Sequence, residues 1–426
     1  MRPESSRNTP EKTQDRLNRT AEASDTPSAD PRMSSPTIRQ CRGCHSPSSG
    51  LTPVLSMEPM PLAGMFCRSA ASAQAAPLFP LTWVRCSSCG AVQVAEDISG
   101  AQLYEEYNYA SSTVPGLVRH FIGFSDTLAA FYGRDSALTY LEIGCNDGVL
   151  LNQLPPGWRR IGVDPSDVSR RAGAAASWRL VNQPFTPQVV REHGLEGTVD
   201  VLSGSNCLAH ITDLREVFAG AALALRPGGH FWVEVHDLAA TLSGGQWDTI
   251  YHEHKVEWSE SALIRCVCRL GFAHEATLRT PLHGGLLRVR FRRDPHATGI
   301  PGRAPEPESG LHEIQRAYDR RSETPAAQRL ERLLGEGRPI AAYGAAGRAN
   351  VYLNQLRHLR FDYIVDESPL RCGKFIPQTA TPIVAPAEML QHPPVACLVT
   401  AWNHRDDIVR KYPGHSWEWL TAFGEG

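Results

Sequence analysis

From Leu138 onward the chain alternates short apolar runs with amphipathic stretches. Leu138–Ile143, Arg160–Val163, Val199–Ser203, His230–Val235 and Leu286–Phe291 read as strands. Helices fall between them, for instance Thr212 to Leu225, closed by Arg226-Pro227-Gly228-Gly229. This rhythm predicts a mainly parallel sheet with helices on both faces. Residues 296–310 carry Pro301, Pro305 and Pro307 and read as loop; a helix is expected from about Gly310 to Leu334. A second α/β unit follows, with Ile340–Tyr343, Phe361–Val365 and Val395–Ala401 as strands. Its plan repeats that of the first unit, and no short-period repeat is present. Residues 1–39 have almost no large apolar side chains and cannot offset their ordering entropy, so a disordered tail is expected there.

The 426 residues, 42% hydrophobic, are enough for two or three domains. A net charge of -2, from 43 basic and 45 acidic residues, gives no electrostatic case for nucleic acid or an anionic membrane. No run of 18 apolar residues and no signal-type apolar segment occurs, so a cytoplasmic protein is expected.

The 11 cysteines are scattered, but four form two Cys-x-x-Cys pairs: Cys41-Arg42-Gly43-Cys44 and, after 41 intervening residues, Cys86-Ser87-Ser88-Cys89. Two such knuckles supply four thiolates for a tetrahedral, closed and therefore structural Zn2+. Cys67 and His45 stand outside the pattern. A zinc-stapled domain over 40–112 is the reading, a first α/β domain over 113–300 and a second over 301–426.

Leu141-Glu142-Ile143-Gly144-Cys145-Asn146-Asp147-Gly148 ends the first strand and is expected to open a helix. Gly144 permits a tight turn and Gly148 a close approach to a ligand. The spacing is not that of a dinucleotide site, and Glu142 suits an ammonium group better than a pyrophosphate. Asp164, 20 residues after Gly144 at the next strand end, can accept from both ribose hydroxyls. The combination resembles the first motif of class I S-adenosylmethionine-dependent methyltransferases. Whether Asn146, Asp147 or backbone amides grip the methionine end is open.

Trp247-Asp248-Thr249-Ile250-Tyr251-His252-Glu253-His254 packs a phenol, a carboxylate and two imidazoles into four consecutive residues. It is either a polar loop or a site that moves protons. Histidine changes charge near neutral pH, a carboxylate can orient it, and tyrosine can bond an oxyanion.

With the knuckles, the glycine loop and this block in order, the chain resembles the sugar C-methyltransferases over nearly everything after residue 40. The likeness includes Tyr104-Glu105-Glu106-Tyr107-Asn108-Tyr109, Asn206-Cys207-Leu208-Ala209-His210 and His283-Gly284-Gly285. It continues through Tyr343-Gly344-Ala345-Ala346-Gly347-Arg348 and Val365-Asp366-Glu367 to Ala401-Trp402-Asn403. The resemblance implies an α/β class I methyltransferase core, an N-terminal zinc-binding module and a C-terminal Rossmann-like domain. It implies S-adenosyl-L-methionine held by Glu142, Gly144, Asn146, Asp147, Gly148, Asp164 and Asn206. The substrate implied is a nucleotide-linked keto-deoxysugar in a cleft between domains. His254 would be the base that removes the proton beside the ketone, with Tyr251 and Glu253 holding the base and the sugar oxygens. His210 either donates to a sugar hydroxyl or enolate or caps a helix before Thr212-Asp213. Tyr107 and Tyr109 either close over the site or pack. Arg348 and Lys374 either hold a diphosphate or form a solvated basic face.

Two departures stand out. Lys255-Val256-Glu257-Trp258 puts charges where the family runs apolar and aromatic, and Arg348 stands where a lysine is common. A second cofactor such as NAD is disfavoured for the C-terminal unit, whose glycine pattern is incomplete. The expected partner is a small-molecule substrate, with no nucleic acid or membrane, and the expected assembly a monomer. The rival readings are methyl transfer to another small metabolite, at oxygen or carbon, and a binding protein that kept the fold.

Overall fold

The computed structural model describes residues 36–100, 103, 110–297 and 309–423. The chain opens with three antiparallel strands that the apolar pattern does not announce: β1 (Leu51–Met60), β2 (Phe79–Cys86) and β3 (Val92–Val94). The β2 positions are buried or half-buried along their whole length, because both faces are covered. The described chain starts at Pro36, inside the tail expected over 1–39. Residues 1–35 lie outside the described residues, but Ile38 is buried against Val84 and Ala95 and donates its backbone N–H to Ala95.

Next comes a helix, Pro115–Tyr132, whose Leu117, Phe121, Phe124 and Leu128 recur at helical spacing and are buried. Then follow β4 (Thr139–Ile143), β5 (Arg159–Val163), β6 (Arg179–Val181), β7 (Val199–Ser205) and β8 (Leu225–His236). A short strand, β9 (Val256–Glu257), leaves this unit to pair with β3, so the N-terminal sheet runs β1-β2-β3-β9. The hairpin β10 (Phe272–Thr280) and β11 (Leu286–Arg293) completes a seven-stranded sheet of order β10-β11-β8-β7-β4-β5-β6. Five strands are parallel; β11 runs antiparallel to β8 and β10 to β11. The mainly parallel sheet was legible, and β6 and β10 were not, since β10 is mostly half-exposed and shows no apolar run.

Three local expectations need correction. Residues after Gly148 form turns rather than a helix. Helix Leu214–Ala224 runs straight into β8 at Leu225, so Arg226-Pro227-Gly228-Gly229 lies within the strand instead of closing the helix. The helix expected over 310–334 is two, Ser309–Asp319 and Pro325–Gly335. Thr324 caps the second with its hydroxyl and Pro325 occupies its first turn, where a missing N–H costs nothing.

The C-terminal unit is a five-stranded, wholly parallel sheet of order β14-β13-β12-β15-β16, from β12 (Ile340–Tyr343), β13 (Tyr363–Val365), β14 (Ile383–Val384), β15 (Ala396–Val399) and β16 (Glu418–Thr421). Its core is continuous with the N-terminal sheet: Leu55, Met57 and Trp83 pack with Leu330, Ile340 and Leu353. The cysteine knuckles share a core with the seven-stranded sheet instead, beside Leu202, Phe231 and Val267. The small N-terminal sheet is thus the wedge on which both larger units are mounted. No helix among the described residues is long and apolar enough to cross a membrane.

Candidate active site

The four knuckle thiols converge. Cys41 Sγ lies 3.6 Å from Cys89 Sγ and Cys44 Sγ 3.7 Å from Cys86 Sγ. A tetrahedral zinc with Zn–S bonds of about 2.3 Å separates its sulfurs by about 3.8 Å, so the cage fits the ion. Gln93 Nε2 donates to Cys41 and the Ala91 N–H to Cys89, bonds that favour thiolate sulfur. Neither sequence outsider joins the cage. Cys67 bridges to Phe375, and His45 reaches Asp213 at 3.0 Å, fastening the knuckle to the N-cap of helix Leu214–Ala224.

The glycine loop sits at the C-terminal end of β4. Gly144 has φ 67°, and a Cβ there would lie 2.5 Å from the Cys207 Cβ, so only glycine lets this turn nest against the end of β7. Gly148 also has positive φ, but its open side is filled by the Trp178 indole, 2.3 Å from a Cβ, and not by ligand space. Glu142 is buried and its Oε2 has no hydrogen-bond partner. Burial first, then Asp164 and Asp147, push its pKa well above the ordinary carboxylate range. Both side-chain polar atoms of Asn206, a residue in left-handed conformation (φ 56°) at the end of β7, are likewise buried and unpaired. Buried polar groups are normally satisfied, so a cluster of orphans marks the place of a ligand. A carboxylate and an amide left open there fit a cationic, hydroxyl-bearing cofactor such as S-adenosylmethionine.

The other loop residues are partly committed. Asn146 Oδ1 accepts from the Ser111 N–H and Asp147 Oδ2 from the Ser112 N–H, both at 2.9 Å, so these side chains fasten the segment before helix Pro115–Tyr132. Asp147 Oδ1 stays unpaired. Asp164 accepts from the Asn146 and Ser166 N–H groups, which fixes its carboxylate at the β5 end and leaves it lone pairs to accept further hydrogen bonds.

The block 247–254 is stitched to all three units. Trp247 stacks on Tyr352 at 5.2 Å in the C-terminal unit. Asp248, buried, makes a bidentate pair with Arg348 at 2.6 and 2.9 Å and accepts from the Trp402 indole. His252 Nε2 meets the Pro80 carbonyl at 2.8 Å and packs on Phe79; burial lowers its pKa to about 4, so it is a neutral anchor to β2. The carboxylate of Glu253 turns the same way, accepting from the Gly64 N–H at 2.7 Å. It does not hold the base, because its neighbours are the N-terminal module's amides; its backbone carbonyl accepts from His210 Nδ1 at 2.8 Å instead.

His254 lies where β7, β8 and β9 converge, 5% exposed, with its ring edge-on to His210 at 5.1 Å and to His236 at 5.0 Å. Its Nδ1 faces the Thr249 carbonyl at 2.9 Å, so Nδ1 carries the proton. Its Nε2 therefore accepts from the half-buried Tyr251 hydroxyl at 2.6 Å. Burial lowers its pKa, keeping it a neutral base near pH 7. Tyr251 in turn abuts Gly347, the first residue of the helix that follows β12, so the phenol occupies the seam between units. Glu257 and His236, missed by motif reading, complete the cluster; the only signal was the charge at 257 where an apolar residue was expected.

His210 is also neutral, with burial the main cause of a pKa near 3. Its single N–H is spent on the Glu253 carbonyl, so donation to a hydroxyl or enolate is ruled out and Nε2 can only accept. Helix capping falls to Asp213, whose side chain accepts from the Glu216 N–H. Arg348 is no free phosphate clamp: besides Asp248 it reaches the His283 carbonyl and stacks over Trp402 at 4.7 Å. Lys374 sits in the turn beside the Cys67–Phe375 bridge, where the C-terminal unit meets the N-terminal module. Tyr107 and Tyr109 lie outside the described residues.

Comparison with known proteins places these features. Three family descriptions match in succession: a zinc binding domain at residues 41–104, a methyltransferase domain at 118–277 and a C-methyltransferase C-terminal domain at 281–423. The C-methyltransferase NovU of Streptomyces niveus is 30% identical over 393 residues, covering 87% of this chain and 91% of its own. A ubiquinone biosynthesis O-methyltransferase of Methylobacterium sp. (strain 4-46) is 31% identical over 117 residues, 25% of this chain and 47% of its own. Among solved structures, magnesium protoporphyrin IX methyltransferase from Synechocystis PCC 6803 aligns over 42% of this chain and 80% of its own, with 15% identity and a TM-score of 0.32.

Proposed function

The chain belongs to the C-methyltransferase family as an S-adenosylmethionine-dependent enzyme, and from that premise we propose that it methylates a carbon next to the ketone of a nucleotide-linked keto-deoxysugar. The observation that carries this reading is the Tyr251–His254 hydrogen bond in the loop before β9, taken with the orphaned Glu142 and Asn206 at the β4 and β7 ends. Carbon methylation depends on a base more than oxygen methylation does, because a C–H beside a ketone is a weaker acid than a hydroxyl and its carbon has no lone pair to attack with until the proton is gone.

When bound, S-adenosylmethionine supplies an electrophilic sulfonium methyl, and the substrate carbon takes it up. The protein's own part is proton handling. With Nδ1–H held by Thr249, the ring of His254 presents a lone pair at Nε2. Substrate entering the seam takes the place of the Tyr251 hydroxyl on that lone pair. His254 Nε2 then accepts the proton, and the electron pair of the C–H bond passes into the enolate. The displaced Tyr251 O–H is left beside the developing oxyanion, to which it can donate. Glu142, Asn206 and Asp164 hold the cofactor; His210 accepts from a sugar hydroxyl. A well-placed general base contributes about 10²–10⁴ in rate, so orientation by the stitched loop supplies the remainder.

The test is wash-in of deuterium from heavy water into thymidine-diphospho-4-keto-6-deoxyglucose, followed by mass and NMR analysis, with and without methyl donor. The wild-type protein should label the carbon it later methylates, and His254→Gln should lose labelling and methylation together by at least about 10². Methylation at oxygen, or labelling that survives in His254→Gln, would overturn the proposal.

A further inference from the structure

We infer that Glu257, with His236 behind it, is a positioning residue for His254: it fixes the tautomer of that ring and balances the positive charge the ring gains on taking a proton. This rests on the reading of His254 as the base. Glu257 is 1% exposed, on β9, and neither carboxylate oxygen has a hydrogen bond. A carboxylate deep in a protein without such partners is costly unless a cation faces it. What faces it is two imidazoles: Oε1 lies 3.5 Å from His254 Nδ1 and 3.9 Å from His236 Nδ1. The two rings hold its pKa down to about 2 against the opposing effect of burial, so it stays a carboxylate.

The arrangement is directional. The His254 Nδ1–H donates to the Thr249 carbonyl at 2.9 Å, and the Glu257 carboxylate lies 3.5 Å away on the same side and disfavours a bare lone pair there, so Nε2 is the face offered to Tyr251 and the seam. Protonation at Nε2 makes the ring a cation. The groups facing it are then His210 from the segment after β7, His236 from the end of β8, Tyr251 from its own loop, and Glu257 from β9. His210 stays neutral, so Glu257 supplies the compensating charge. Glu257 takes no proton itself; it lowers the energy of the imidazolium.

One ligand atom from each of His236, His254 and Glu257 lies within 4.8 Å of the other two, which invites a metal reading. The Thr249 carbonyl argues against it. A nitrogen 2.9 Å from a carbonyl oxygen must donate and cannot also ligate.

The experiment is a pH profile of deuterium wash-in for the zinc-loaded full chain, using thymidine-diphospho-4-keto-6-deoxyglucose. Glu257→Gln should lower the plateau about thirtyfold, with the KM for methyl donor unchanged within twofold. It should also move the acidic limb about one unit or more to lower pH, because losing a neighbouring anion weakens the base. Glu257→Asp should recover part of the plateau. A plateau and limb within twofold of wild type, while His254→Gln is dead, would sink this inference alone; labelling retained in His254→Gln would sink the base assignment instead. Loss of a second zinc equivalent in Glu257→Gln would favour the metal reading and overturn ours. Should that variant not fold, 15N-histidine spectra of the wild type decide: His254 protonated at Nε2 rather than Nδ1 when neutral contradicts the inference.

Discussion

Two α/β units of one plan stand side by side, and they treat their polar atoms in opposite ways. In both, a glycine of positive φ follows the first strand and an acid ends the second. Gly144 and Gly344 are each required by a close neighbour: a methyl carbon added to them would lie 2.5 Å from the Cys207 Cβ and 2.6 Å from the Ala401 Cβ respectively. The first unit then leaves Glu142 Oε2, Asn206 and Asp147 Oδ1 unpaired. At the matching strand ends the second unit leaves no such reserve: Asp366 accepts from the Ser368 N–H and pairs with Arg371 at 3.2 Å, and Thr400 bonds the carbonyls of Tyr343 and Gly344. A glycine turn reports a close approach of chains. A ligand site is reported by hydrogen-bonding capacity held in reserve.

The comparison breaks hardest at the zinc. The knuckle cysteines share a core with the first sheet and none lies in either core of the second. Chelation should therefore loosen the knuckles and expose β4, β7 and β8 to hydrogen exchange, while β12 and β15, with β1 and β2 packed on their core, stay the best protected, since structural zinc contributes about 10–16 kcal/mol of apparent binding energy. Equal loss of protection in both sheets would refute that division.

A smaller effect separates the two acids. Glu142→Gln should weaken S-adenosylmethionine binding about tenfold, or about 1.4 kcal/mol, by calorimetry, whereas Asp366→Asn should leave it unchanged and lower stability alone. pH sharpens the contrast. The folded-state pKa of Glu142 is raised, so its carboxyl disfavours the folded apo-protein increasingly as pH climbs from the ordinary value through the raised one. A cationic ligand needs the ionised form, so affinity should rise over the same window, and thermal-shift titrations in Glu142→Gln should show a flat response. A slope that persists in that variant would assign it elsewhere. The smallest effect belongs to the half-exposed His45–Asp213 latch: His45→Ala should cost less than about 1 kcal/mol in a chemical melt and leave methyl-donor binding intact.

How far the sequence reached depends on whether a signal was local. The knuckles, the central strands of both units and the mainly parallel character of the first sheet follow from spacing and apolar runs, whereas β6, β10, β14 and β16 do not. The N-terminal sheet escaped notice because β1 mixes buried with exposed positions around Pro53 and Pro59. In the candidate site, residue types were legible but their directions were not. Nothing in Tyr251-His252-Glu253-His254 tells that His252 and Glu253 point to the N-terminal module while Tyr251 and His254 face each other across 2.6 Å. Arg348 read as a phosphate ligand because its partner Asp248 is 100 residues away. Glu257 became meaningful only when the fold set His236 beside it.

The pairing of β9 with β3 has a consequence for how this protein can be taken apart. Two residues after His254 the backbone is already a rung of the zinc module's sheet, so trimming the chain to its methyl-transferring centre would bare the β9 edge and uncover Val256 and Trp258. The His254 imidazole would lose its footing along with that edge. Modularity here is therefore apparent in the family boundaries but not in the mechanics, and the domains can be exchanged only as a set.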